Sequence, residues 1–299
     1  MVRIGINPLT WSNDDMPSLG ADIPLERCLR EGRQAGYAGF ELGHKFPREA
    51  SQLRPLLAAH DLALVSGWYS ARLCERSVEE EIAAVQPHLA LLRDMGCTVM
   101  VCAEVSDAVH GDRTTPLSRR PRLSDSAFGH FAGRLAAFAD YLAEQGMALA
   151  YHHHMGTVVE SPEDIDALMA ATPPTVGLLL DTGHLSYAGG DPVAVAATHA
   201  QRICHLHCKD VRPDVLVRAR AANWSFLDAV LAGVFTVPGD GAVDFAAVLA
   251  ALPEGYDGWV VVEAEQDPSR AEPLTYARLG YGHLEALLAA RERRGGKTP

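Results

Sequence analysis

Eight short apolar, strand-like runs recur along the chain, each followed by a segment whose apolar residues repeat at helical spacing. The runs cover 3–7, 39–43, 63–67, 98–103, 148–154, 176–180, 202–207 and 259–265. Eight β-then-α rounds within 299 residues, with no long linker or composition break, predict an α/β protein with one parallel (β/α)8 barrel. The barrel is expected over 1–290, and 291–299, charged and glycine-containing, is expected to be a flexible tail. An open doubly wound sheet would want a glycine-rich phosphate loop after the first strand. This chain has Asn7-Pro8-Leu9-Thr10-Trp11 there.

The helical signals are local. Ile82, Val85, Leu89 and Leu92 follow a capping box at Ser77 and Glu80, and Phe128, Phe131, Leu135, Phe138 and Leu142 form a second apolar stripe. Ser161-Pro162-Glu163-Asp164 combines an N-cap, a first-turn proline and first-turn acids. Two connections are long. Residues 105–122 carry His110, Arg113, Arg119, Arg120 and Arg122, and 209–238 are expected to hold a helix around 224–234. In a barrel such loops cover the active-site mouth or make oligomer contacts, the alternative being surface decoration.

Composition excludes several classes. Lys and Arg number 26 against 38 Asp and Glu, a net charge of −12 that repels a phosphate backbone and argues against nucleic acid as a partner. No window approaches the ~18 consecutive apolar residues of a membrane span. The start MVRIGINPLTW does not read as a secretory signal. Cys28, Cys74, Cys97, Cys102, Cys204 and Cys208 form no CxxC pair and read as reduced core thiols, so a cytoplasmic enzyme is expected. Cys204 and Cys208 flank two histidines, which raises metal binding as an alternative role.

In a parallel barrel the reactive groups gather where strands end. Polar residues ending the apolar runs are Glu41, Glu104, His152-His153-His154, Asp181, His205, His207, Glu263 and Glu265. Residues two apart share a strand face, so His152 pairs with His154, His205 with His207 and Glu263 with Glu265, while His153 points away. Carboxylates and imidazoles without thiolate suit a divalent ion such as manganese, cobalt or magnesium. Simpler roles exist for several of these residues. Asp181 before Thr-Gly-His can be a helix N-cap, His205 a packed supporting residue, and Glu104 the partner of a loop arginine.

The segments YHHHMGTVVE (151–160), LDTGH (180–184), HLHCKD (205–210), PGDGAVD (238–244) and GWVVVE (258–263) resemble the xylose-isomerase-like TIM barrels. Within that superfamily, INPLTWSNDDMPSLG, GFELGHKFP, SGWYSARL, HGDRTTPLSRRPRL, DTGHLSYAGGDP and VVEAEQDP are similar to the myo-inosose-2 dehydratase family, from about Ile4 to Glu285. The resemblance implies a hydro-lyase that dehydrates scyllo-inosose (2-keto-myo-inositol) to a trihydroxycyclohexane dione in inositol catabolism. It also implies one divalent metal, Mn2+ or Co2+ being favoured by imidazole ligation, bound through Asp181, His207 and Glu263, with Glu265 as a substitute for Glu263. At strand five many members have a terminal glutamate where this chain has His152. Either His152 binds the ion or Glu160 folds back to it, and Glu160 neutralises the charge better.

A metal that chelates the ketone and a neighbouring oxygen would acidify the adjacent C–H and stabilise the enediolate. His154, Lys209 and His152 are the candidates for acid and base. The resemblance is compatible with more than one physiological metal, with a thiol such as glutathione as co-reactant, and with a homo-oligomer. The alternative is a metal-dependent ketose isomerase or epimerase, which would normally place paired carboxylates on strands five and eight. A DNA-repair phosphodiesterase is disfavoured by the charge, and a non-catalytic sugar-binding protein by the number of metal-grade ligands.

Overall fold

The computed structural model describes residues 2–253 and 255–295. Strands β1 (Arg3–Ile6), β2 (Gly39–Leu42), β3 (Ala63–Ala71), β4 (Val99–Glu104), β5 (Ala148–His152), β6 (Val176–Asp181) and β7 (Ile203–Cys208) run parallel in sequence order. A two-residue antiparallel ribbon, β8 (Asp210–Val211) with β9 (Phe235–Thr236), follows, and β10 (Trp259–Val262) closes the barrel between β7 and β1. Closure is in register, with Arg3 beside Trp259 and Ile6 beside Val262.

Strand alternation divides the side chains into two sets. Ile4, Phe40, Met100, Tyr151, Leu180, Leu206 and Val262 belong to the large core between the strands and the surrounding helices. The opposite phase fills the barrel axis: Val101, Ala150 and Leu179 form one small cluster, and Val65, Trp259 and Val261 another. Gly39 has no room for a side chain, because a Cβ there would lie 2.7 Å from the Ala63 carbonyl, 2.9 Å from Val65 and 3.0 Å from the Trp259 indole. Continuing this inward phase to the strand ends gives Asn7, Glu41, His152, Asp181, His207 and Glu263.

The helices begin where their caps were expected. Ser77 makes a capping box with Glu80, and Ser161 makes one with Asp164. The connection after β7 holds the helix expected around 224–234, at Phe226–Leu231, and a further one before it, Pro213–Ala221. Asn223, at φ 50, takes the left-handed turn that separates them. This segment docks on the 105–122 loop through Arg113 to Asp228 (2.6 Å), Asn223 to Ser118 (2.9 Å) and a shared core of Leu117, Met155, Tyr187, Phe226 and Phe235. The last helix spans Pro273–Gly295, so residues 291–295 continue a helix where a tail was expected, and 296–299 lie outside the described residues. Among the described residues no helix is long and apolar enough to cross a membrane.

One buried carboxylate ties the loop before the last helix–strand unit to the barrel. Asp210 accepts hydrogen bonds from the backbone N–H groups of Val211 (2.9 Å), Gly239 (3.0 Å), Gly241 (3.0 Å) and Val243 (2.9 Å). Asp210→Ala leaves these donors without their acceptor and is expected to cost on the order of 3 kcal/mol, read from urea unfolding. An unchanged midpoint would mean that the loop is held by other contacts.

Candidate active site

A cavity of about 260 Å³ opens at the C-terminal end of the barrel, against Asn7, Glu41, Trp68, His152, His154, His207, Glu263 and Glu265. The size suits a small polar molecule rather than an extended one. Trp68 supplies the flat apolar wall, its ring standing edge-on to His152 and His154 at 5.3 and 5.5 Å between centroids.

Asp181 serves two purposes at once. Its Oδ1 accepts from the His184 backbone N–H at 2.8 Å and caps the helix Thr182–Ala188, which is the simpler role open from sequence. Its Oδ2 is buried with no hydrogen-bond partner, a costly state for a carboxylate oxygen. His152 Nε2 lies 3.7 Å from Oδ2 and His207 Nδ1 3.6 Å, and Glu263 Oε2 is 2.8 Å from His207 Nδ1 without hydrogen-bond geometry. His152 Nδ1 is taken by the His153 carbonyl at 2.6 Å, so Nε2 carries its lone pair. Donor atoms around a first-row divalent ion with bonds near 2.1 Å stand roughly 3.0–3.5 Å apart, so the two pairs at 3.6 and 3.7 Å need to contract only by tenths of an ångström, and His184 offers a further nitrogen within 4.8 Å of the His152, Asp181 and Glu263 donors. They are donors that could hold such an ion, and the bare Asp181 Oδ2 is the atom that asks for one.

Behind this set lies a single buried cation. Lys209 Nζ is 2.6 Å from Glu263 Oε1, 2.8 Å from His184 Nε2, 3.4 Å from Glu265 Oε1 and 3.6 Å from Asp181 Oδ2. Burial disfavours the charged amine, but Asp181 and Glu263 outweigh it and hold Lys209 protonated. For Glu265 burial wins: despite Lys209, the carboxyl is pushed up to about 8. Burial also holds His154 well below its ordinary range, with His110 and His152 adding to the effect. Gly183 is required at its position, because a Cβ there would collide with the aliphatic stem of Lys209.

The structure brings His152, His154, Asp181, His207, Glu263 and Glu265 to one site and leaves Glu160 out of it. Glu160 accepts from the Gly156 N–H at 2.6 Å and faces Arg120 Nε at 3.4 Å, lining a separate hollow with Met155 and Tyr187. The tight turn at 155–160 directs the carboxylate to its own backbone and to the loop arginine, which corrects the expectation that it folds back toward the barrel mouth. Lys209 also differs from expectation: fully buried behind the carboxylates, its ammonium does not line the cavity. His153 points away, as alternation requires, and its Nε2 accepts from the Asp181 N–H at 3.2 Å. Glu104 pairs with the N–H groups of Ser106 (2.8 Å) and Cys74 (3.2 Å) and not with an arginine. All six cysteines are free. Sequence reasoning gave no role to Asn7, Trp68 or His184; the HLHCKD and LDTGH segments put Lys209 and His184 close together only once the barrel has closed.

Residues 29–287 match the family described as xylose isomerase-like TIM barrel. The chain is 53% identical over 290 residues to the rhizopine catabolism protein MocC of Rhizobium meliloti, covering 97% of this chain and 89% of that protein. It is 45% identical over 279 residues to the inosose dehydratase of Geobacillus thermodenitrificans (strain NG80-2), covering 92% and 94% of the two chains. Among solved structures, an L-ribulose 3-epimerase superposes over 100% of both chains with a TM-score of 0.68 at 17% identity, a likeness of fold alone. The chain therefore belongs to the xylose isomerase-like TIM barrel family, and inosose dehydratases and MocC are among its relatives in sequence.

Proposed function

We propose that this protein is a metal-dependent hydro-lyase that dehydrates scyllo-inosose in inositol catabolism. The observation that carries the reading is the strand-five position. β5 presents His152 and His154 to the cavity opposite Glu263, where a ketose epimerase would normally place a second carboxylate. The similarity to inosose dehydratases over 92% of the chain supports the same reaction.

His152 Nε2, Asp181 Oδ2, His207 Nδ1 and Glu263 Oε2 are the proposed ligands, so His152 takes the place for which Glu160 was also considered. A divalent ion bound there, manganese or cobalt by the imidazole content, would polarise the ring ketone and favour loss of the neighbouring proton. The chain's own groups supply the proton traffic. His154 Nδ1 is engaged by the Met155 carbonyl at 2.8 Å, which leaves Nε2 free to accept the proton from carbon. The electron pair of that C–H bond becomes a C=C bond as the adjacent C–O bond breaks, and the departing oxygen takes up a proton and leaves as water. The unpartnered Oε2 of Glu265 is the other proton-carrying atom at the cavity wall. Lys209 acts through its neighbours: its ammonium holds Glu263 Oε1 and so leaves Oε2 facing His207. Trp68 offers an apolar face to the ring C–H groups. A second reading, a step in rhizopine catabolism, is favoured by the 53% identity to MocC. Restoring growth on rhizopine to a MocC-deleted strain would support it.

Chelator-stripped protein is expected to be inactive on scyllo-inosose and to recover with manganese or cobalt better than with magnesium, followed by ultraviolet absorbance and product mass. Full turnover in rigorously metal-free protein would remove the metal from the mechanism.

The ligand assignment has its own test. His152→Gln is expected to weaken manganese binding 10-fold or more, the range typical of disturbed metal sites. Glu160→Gln is expected to bind manganese like the parent and to lose about 1.5 kcal/mol of stability with its contact to Arg120. The reverse pattern in a side-by-side titration and thermal melt would return the strand-five ligand to Glu160.

A further inference from the structure

We propose that Glu41 is the positioning residue of the site: a β2 carboxylate that fixes the ring of His207 so that Nδ1, rather than Nε2, is presented to Asp181 and Glu263. The inference rests on the metal reading above and adds a role for the half of the barrel that supplies no ligand.

Glu41 is buried, and its two oxygens are fully engaged. Oε1 is 2.8 Å from His205 Nε2, while His207 Nε2 lies 3.0 Å from Oε2 and 3.2 Å from Oε1. The Asn7 side-chain amide donates to Oε2 at 2.8 Å. An ionised carboxylate only accepts, so both imidazole Nε2 atoms facing it must carry hydrogen. In a neutral, ligating His207 that leaves Nδ1 as the nitrogen with a lone pair to offer, on the side where Asp181 Oδ2 stands at 3.6 Å and Glu263 Oε2 at 2.8 Å. The same Asn7 amide nitrogen is 3.1 Å from Glu263 Oε2. One amide from β1's end and one carboxylate from β2 therefore orient two of the four proposed ligands. A carboxylate that accepts from a ligating imidazole, and so orders it, is the arrangement by which outer partners tune metal sites.

The test compares parent, Glu41→Gln and Glu41→Ala. Manganese affinity is measured by calorimetry on chelator-stripped protein, and the His207 Nε2–H proton is followed by NMR in the zinc-loaded protein. The parent is expected to bind manganese and to show that proton shifted downfield and protected from exchange. Glu41→Ala is expected to bind manganese 10- to 100-fold more weakly and to lose the protected proton. Glu41→Gln, which keeps the shape and one acceptor oxygen, should lose less affinity and keep the proton. Parent-like affinity and an intact His207 signal in Glu41→Ala, with only a lowered melting temperature, would overturn the proposal and leave Glu41 a structural residue. A loss in Glu41→Gln as large as that in Asp181→Asn would also overturn it, by making Glu41 a ligand. A parent that binds neither manganese nor zinc would instead remove the metal reading on which the proposal stands.

Discussion

The ammonium of Lys209, buried within 2.6 to 3.6 Å of Glu263, Glu265 and Asp181, is the interaction on which the mouth of this barrel depends. Ionised carboxylates so deep in a protein are sustained only by paired charge and hydrogen bonds. Several local features serve that one contact. Gly183 leaves room for the lysine stem, Thr182 Oγ1 hydrogen-bonds the Lys209 backbone at 2.7 and 3.1 Å, and the Phe235 ring covers the ammonium at 4.9 Å. The neighbouring Asp210 then anchors the 239–243 loop, so the same two residues join the charge network to the chain that follows it.

The rest of the site is arranged in two tiers around that cation. Toward solvent stand His152, His154, His207 and the free edge of Glu263, with Trp68 as the apolar wall. On the far side of the barrel axis Glu41 and Asn7 close the hydrogen-bond circuit back to His207 and Glu263. Glu41, Asp181 and Glu263 are held ionised, chiefly by Lys209 and the imidazole of His207. Both tiers sit on strands or within two residues of a strand's end, which is the kind of support that holds ligand geometry to fractions of an ångström.

Much of this was legible before any coordinates. The eight rounds of strand and helix specified the barrel, because each signal, period two followed by 3.6 with caps at Ser77 and Ser161, is written within a dozen residues. The phase of each strand was legible too: His152 with His154, His205 with His207 and Glu263 with Glu265 had to share a face. Two misses lie in the connections between strands. The helix at 213–221, upstream of the expected one at 226–231, went unread, and Glu160 turns to Gly156 and Arg120 rather than to the barrel mouth.

By itself, then, the sequence determined the fold class, the strands, and which acids and imidazoles share a face, since all of these follow from periodicities shorter than one strand or helix turn. The tertiary structure alone decided which atoms are left over. That Asp181 keeps one oxygen bare while capping a helix, that Lys209 spends its charge behind the carboxylates, and that Glu41 serves His205 and His207 all depend on partners far apart in the chain. Asn7 and Glu263, which share a hydrogen bond, are separated by 256 positions. Pairing at that distance is set by barrel closure and register, and no local pattern encodes it.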